Sequence, residues 1–155
     1  GKIADFVTIM AYDQHIGKVT PGPNASIGWL NAVIKHALKY IPANKISLGI
    51  PTYSQFWYTG TDSNNAHGRI SIQNNQISYK NAMELLHKNK AKLQWNDSAK
   101  INYAFYERHW VNQYIFIENK KSFKEKLKIA KKYHLRGIYI VRIGMEDQDG
   151  WKLLS

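Results

Sequence analysis

Three apolar runs constrain what this chain can fold into: Phe6-Val-Thr-Ile-Met-Ala-Tyr-Asp13, Ile46-Ser-Leu-Gly-Ile-Pro-Thr-Tyr53 and Gly137-Ile-Tyr-Ile-Val-Arg-Ile-Gly144. Each is short and almost continuously hydrophobic, and the first two stop abruptly at tyrosine or at tyrosine and carboxylate. A strand exposed on one face alternates apolar with polar residues, whereas a parallel strand flanked by crossover helices does not. The runs therefore predict an α/β fold with a parallel sheet buried on both faces. In such sheets, polar and aromatic residues at the carboxyl ends of strands are where chemistry collects. That directs attention to Tyr12, Asp13 and Tyr53.

The segments between these runs complete the alternation. The first strand is predicted over residues 3–11, and the stretch after it carries Gly17, Pro21, Gly22 and Pro23, a loop composition. Asn24 or Ser26 can cap a helix whose apolar positions Trp29, Leu30, Val33, Ile34, Ala37 and Leu38 keep the helical period until Pro42. With the second strand over 45–51 this makes a β-α-β unit, whose crossover is right-handed. Residues 54–70 read as a loop, with Gly60, Asp62, Asn64, Asn65 and Gly68. A helix follows Ser78, and then three strand-like runs, 93–95, 101–106 and 113–117, separated by polar turns. They are antiparallel in character and read as an insertion into the β/α pattern. A lysine-rich helix, the third apolar run and a closing helix over 147–154 end the chain. Three core strands are too few to close a barrel, so the sheet edges call for cover by the insertion, by a second copy of the chain in a homodimer, or by further strands.

Composition narrows the function classes. A chain of 155 residues supports one sizeable core. The net charge of +11 is concentrated in residues 119–132, where Phe123, Leu127, Ile129 and Ala130 keep near-helical spacing and lysines fill the rest. That pattern is an amphipathic helix with a solvated basic face; no nucleic-acid motif accompanies it, so nucleic acid is not an expected partner. Affinity for anionic polymers, bacterial wall included, is compatible with it. Cysteine is absent, which excludes disulfides and thiolate chemistry. The six histidines show no ligand spacing, so neither a metal nor another cofactor is expected. No apolar stretch reaches the ~20 residues of a membrane span.

The residues also carry a resemblance. Asp5-Phe-Val-Thr-Ile-Met-Ala-Tyr-Asp13, Pro21-Gly-Pro23, Trp29 and Ile41-Pro-Ala-Asn-Lys-Ile-Ser-Leu-Gly-Ile-Pro-Thr-Tyr53 resemble glycoside hydrolase family 18. So do Glu118, Ser122, Lys126, Tyr133, Leu135-Arg-Gly137, Gly144 and Trp151. The order is most similar to the branch that acts on N-acetylglucosamine in spore cortex and cell-wall peptidoglycan, with chitinases next. The resemblance implies the C-terminal portion of a (β/α)8 TIM barrel, strands six to eight, with a small α+β insertion between the last two. Residues 1–53 would hold strands six and seven, 54–118 the insertion, and 119–155 the helix, strand eight and closing helix. It further implies retaining hydrolysis of β-1,4 links, with the substrate's own acetamido oxygen as nucleophile, and a secreted, wall-associated or spore-associated location.

Family members draw their acid-base glutamate from an Asp-x-x-Asp-x-Asp-x-Glu motif on strand four. None of the eleven acidic residues of this chain falls in that spacing, so no catalytic residue is assigned and the isolated chain is expected to be inactive. The resemblance assigns substrate contacts to Tyr12 and Asp13, and position makes Met10, Tyr53 and Trp57 further candidate contacts. Tyr12 would hold the acetamido carbonyl, Asp13 the sugar, Met10 the cleft floor, and Trp57 would be an exposed stacking platform in a loop. For Met10 and Tyr53 core packing is the competing reading. Val141 stands where the family usually has a tryptophan under the central sugar, with Arg142 beside it, and valine cannot stack a pyranose ring. A fragment of a hydrolase and a degenerate carbohydrate-binding protein therefore both remain open.

Overall fold

The computed structural model describes residues 3–16, 20–61, 70–109 and 111–154. A parallel three-stranded sheet is built from β1 (Val7–Ile9), β2 (Ile46–Pro51) and β8 (Gly137–Val141), in the order β1-β2-β8. Ile9 lies opposite Leu48, and Leu48 opposite Ile138. Helix α1 (Ile27–Ala37) connects β1 to β2, and α3 (Lys120–Lys132) precedes β8. Both crossovers advance the same way across the sheet, so right-handed connections place both helices on one face. The core is the result. Ile46, Leu48 and Ile50, at period two, are fully buried against Leu30 and Ile34 of α1 and Phe123, Leu127 and Ile129 of α3.

The expected burial on both faces does not hold among the described residues. On the face away from the helices, Met10 is 71% and Tyr139 52% exposed. The reason is that both helices of this sheet cover the same side. The edges are not closed by the insertion either. Among the described residues β1 pairs only with β2, and the insertion forms a sheet of its own.

That second sheet corrects a reading. Residues 54–70 were expected as a loop, but β3 (Ser54–Thr61) and β4 (Ile70–Ile77) pair antiparallel across them; Asp62, Asn64, Asn65 and Gly68 lie outside the described residues. The run Phe56-Trp-Tyr-Thr59 has the aromatic and β-branched character of a strand, which outweighs Gly60. The full order is β4-β3-β7-β6-β5, with β5 (Gln94–Asn96), β6 (Ile101–Arg108) and β7 (Val111–Ile117). Helix α2 (Tyr79–Lys88), N-capped by the Ser78 side chain, buries Ala82 and Leu86 against Ala104, Tyr106, Ile115 and Ile117. The first strand is also shorter than expected, because only Val7–Ile9 stand opposite residues of β2.

The antiparallel sheet is fastened to α3 at the start of that helix. The Glu118 carboxylate receives Lys126 Nζ at 2.7 and 2.8 Å and the Ser122 hydroxyl at 2.7 Å, while the Glu118 N–H donates to Ser54 Oγ at 3.2 Å. Asn119 caps the helix in a reciprocal box with Ser122. The closing segment forms a 3-10 helix, Gln148–Leu153, capped by Asp147.

Candidate functional site

The carboxyl ends of β1, β2 and β8 lie at one end of the parallel sheet. Only Thr52 and Tyr53 separate β2 from β3, so the antiparallel sheet rises directly beside those ends. Asp13 follows β1 in a left-handed conformation (φ 59°), which is unfavourable for a residue with a Cβ. Asn24 offsets that cost: its Oδ1 accepts the Asp13 N–H at 2.7 Å, its Nδ2 donates to the Tyr53 carbonyl at 3.3 Å, and its own carbonyl accepts from Gln14 N. Fully buried, Asn24 ties the β1 loop to the β2–β3 junction. Sequence reading offered it only as a helix cap; that position belongs to Ser26.

The Asp13 carboxylate is the hub of the cluster. Its Oδ1 accepts from the Tyr53 hydroxyl at 2.5 Å and from Gln76 Nε2 at 3.3 Å. Gln76 Oε1 in turn accepts from Arg142 Nη2 at 2.6 Å. The network thus joins the β1 end, the β2–β3 link, β4 and the residue after β8. Sequence reasoning missed Gln76, whose strand of alternating Asn and Gln carries no local signal. Arg142 was legible only as the neighbour of Val141. The Thr52 N–H donates to the Val141 carbonyl and its hydroxyl to the Arg142 carbonyl, which pins this segment to the end of β2.

Tyr12 and Tyr53 are both kept as neutral phenols. Burial, then the hydrogen bond to the Asp13 carboxylate, pushes Tyr53 well above the ordinary tyrosine value. Burial, then neighbouring Tyr139 and Asp13, raises Tyr12 as well. Each remains a proton donor through neutral pH. The Tyr12 ring lies against Gly49, where an added Cβ would come within 3.1 Å of the ring and 2.7 Å of the Ile9 carbonyl; glycine is what permits this approach.

The Tyr53 shift has a consequence for stability. A tyrosine whose folded value lies above the unfolded value of 10.0 stabilises the native state fully below pH 10, and the contribution is lost as pH climbs beyond it. The wild-type chain should lose stability between pH 10 and higher values more steeply than Tyr53→Phe. Chemical denaturation at a series of alkaline pH values measures this; parallel profiles would dismiss the coupling.

Of the remaining expected contacts, Met10 is exposed on the helix-free face of the sheet, one residue from the buried Ala11 turn. Trp57 is a correction. It is a strand residue with no exposed surface, and its indole N–H donates to the Gly22 carbonyl at 3.0 Å. It braces the Pro21-Gly-Pro23 loop and presents no face to solvent. Trp95 packs under Lys121, whose Nζ sits 3.7 Å from the ring centroid, and Trp110 lies outside the described residues.

Comparison with known proteins shows what the whole chain is similar to. The chain is 30% identical over 99% of its length to the uncharacterized glycosylase YvbX of Bacillus subtilis, covering 42% of that protein. It is 29% identical over its whole length to the cortical fragment-lytic enzyme of the same organism, covering 35% of it. It therefore spans less than half the length of the curated relatives it matches. Among solved structures, the Bacillus cereus spore cortex-lytic enzyme SleL superposes with a TM-score of 0.86 at 25% identity, over 99% of this chain and 34% of that one. A chitinase from Chromobacterium violaceum gives 0.84 at 25% identity, over 98% and 45%. The family model for glycosyl hydrolases family 18 matches residues 1–146, and the chain belongs to that family.

Proposed function

We propose that this chain is the strand-six to strand-eight portion of a family 18 (β/α)8 barrel and forms one wall of a groove for β-1,4-linked N-acetylglucosamine polymers, peptidoglycan or chitin. The observation that carries the reading is the Tyr12, Asp13 and Tyr53 cluster at the carboxyl ends of parallel strands, where such folds place their chemistry. The exposed Met10 and Tyr139 face would be the barrel interior, and residues 54–118 the wall beside the groove. The relatives include enzymes named for lysis of cortical fragments, which supports peptidoglycan and a secreted, wall or spore setting.

In this reading Tyr12 donates its neutral phenolic proton to the acetamido oxygen of the bound sugar and orients it toward the anomeric carbon. Asp13, held by Tyr53 and Gln76, accepts from the sugar and supports the positive charge that develops on the acetamido group. The proton donor is a glutamate outside this chain's own acidic set. The expected result is that the chain alone binds N-acetylglucosamine oligomers without hydrolysing them. Binding should weaken about tenfold in Tyr12→Phe, the order expected for one hydrogen bond in a shielded site. Calorimetry with the tetramer measures the first point and product chromatography the second. Flat titrations would remove the groove reading, and turnover abolished by Asp13→Asn would remove the inactive-fragment reading.

The alternative is a non-catalytic binding protein of the same fold, favoured by Val141 at the end of β8. Restoring a strand-four motif in a longer chain decides it: hydrolysis supports the enzyme, and binding without hydrolysis supports the alternative. A second copy of the chain covering the Met10 and Tyr139 face would give a homodimer. Light scattering that reads a monomer removes that arrangement.

A further inference from the structure

We infer that the outer face of α3 is a docking surface for a linear phosphodiester polyanion of the cell wall, of the poly(glycerol phosphate) class, separate from the groove. Taking that polymer from a wall rests on the setting proposed above; the surface itself does not. At 3.6 residues per turn, the exposed Lys120, Lys121, Lys124, Lys128, Lys131 and Lys132 fall within an arc of roughly 120°. The buried Ser122, Phe123, Lys126, Leu127 and Ile129 lie on the other side of the helix. Among the described residues only Lys128 of this row is in an ion pair, with Glu125 at 2.7 Å. Lys121 and Lys132 sit over the rings of Trp95 and Tyr133, which leaves their charge in place. Asp147 meets the row at its first turn, where its carboxylate accepts the Lys120 N–H. From Lys126 to Met145 the sequence has no acidic residue. Helix α1, tied to the end of α3 by the Tyr133 hydroxyl on Asn31, adds the exposed Lys35 and Lys39 and no carboxylate.

Folding does not ask for this arrangement. Lys120 with Lys124, Lys124 with Lys128, and Lys128 with Lys132 stand four residues apart, the spacing at which like charges repel on a helix. Lys120 and Lys121 also sit at the positive end of the helix dipole, with no acidic residue in the first turn. A face built only for solubility mixes both signs. The repulsion is relieved when a polyanion lies along the row, and the polymer releases its own counterions. The kind of polyanion follows from what the row lacks. It holds lysines and no arginine, so it offers point charges suited to phosphate and no planar fork for carboxylate. No residue of the arc is aromatic, so bases have nothing to stack on. The apolar side of α3 is buried in the core, so no hydrophobic face remains to enter a bilayer. A flexible chain of phosphodiesters, without bases or acyl tails, matches all three.

The test uses the full 155-residue chain with poly(glycerol phosphate) and three comparison probes. These are single-stranded DNA and polyglutamate of equal charge, and vesicles of phosphatidylglycerol with phosphatidylcholine. Calorimetry at low salt should show poly(glycerol phosphate) bound most tightly, with affinity falling as salt rises. In the triple variant Lys124→Gln, Lys131→Gln, Lys132→Gln the affinity should fall about tenfold or more, and the salt slope by roughly one per lysine removed. The triple variant Lys80→Gln, Lys88→Gln, Lys92→Gln removes the same charge from exposed positions on and after α2 and should keep both. That separates the surface from the general pull of a +11 chain. Thermal melting should place the α3 variant at or above the wild type, since it loses repulsion. Lys124→Gln alone carries the result if the triple variant is not folded, with the slope lower by about one. The tetramer of N-acetylglucosamine should not displace the polymer. No binding of the polymer, or equal losses in the two triple variants, overturns the surface and leaves the groove standing. Tighter binding of DNA, polyglutamate or vesicles overturns the polymer class, and displacement by the tetramer overturns the separation from the groove.

Discussion

Lys126→Ala should cost this chain about 3–5 kcal/mol, a large part of the ~5–15 kcal/mol that holds an ordinary domain together. The lysine and Glu118 side chains are 1% and 3% exposed, and their ion pair is closed from below by Ser122. Removing the cation leaves a carboxylate in the interior with only a hydroxyl to answer it, and the desolvation penalty is then uncompensated. The effect reaches beyond one residue, since Glu118 begins the turn from β7 into α3 and its N–H is anchored to Ser54 at the start of β3. Urea denaturation measures the loss. The pair itself is not the source of the stability. Glu118→Leu with Lys126→Met, which removes both charges and fills the space, should fall far closer to wild type than either single change, with a coupling term of opposite sign to the single losses. A single-variant cost below ~1 kcal/mol would mean that water reaches Glu118, and the account of the junction would be wrong.

Trp57→Ala is the second large loss, at about 3–5 kcal/mol. The indole is fully buried in β3, beside Tyr114 on one neighbouring strand and Asn74 on the other. Its removal opens a cavity and strips the Gly22 carbonyl of its donor. Trp57→Phe separates the two contributions, because it keeps most of the volume and sacrifices the hydrogen bond, worth about 0.5–1.5 kcal/mol. The Pro21-Gly-Pro23 loop should then loosen without the strand failing. The contrast with a stacking platform is direct. A platform residue would lose glycan affinity at unchanged stability; the buried brace loses stability, and Trp57→Phe keeps affinity. Thermal melts beside calorimetry distinguish the two, and an unchanged melt with abolished binding would return Trp57 to the groove.

Much of the architecture was readable in the sequence because it is encoded locally. The period of Leu30, Val33, Ile34 and Ala37 marks α1, Ser78 precedes α2, the spacing of Phe123, Leu127 and Ile129 marks α3, and the apolar run through Leu48 marks β2. The pairing of Tyr12 with Asp13 at a strand end was legible for the same reason. Other features were misread where two local signals compete. In residues 54–61 the glycine argued for a loop and the aromatic run for a strand, and the strand prevailed because β4 and β7 pair with it on both sides. In α3 a row of lysines looked uniformly solvated, yet Lys126 is buried because the Glu118 carboxylate, just after the preceding strand, meets it.

The amino-acid sequence by itself determined the parallel strands, the helices between them, and the motif that marks the family. Tertiary structure alone decided who meets whom: Lys126 with Glu118, Trp57 with Gly22, and the line from Tyr53 through Asp13 and Gln76 to Arg142. The division has a physical cause. Hydrophobic period and capping are set by neighbours within a turn or a pleat. A polar partner drawn from a distant segment leaves no periodic trace until two sheets fold against each other and bring it within hydrogen-bonding distance.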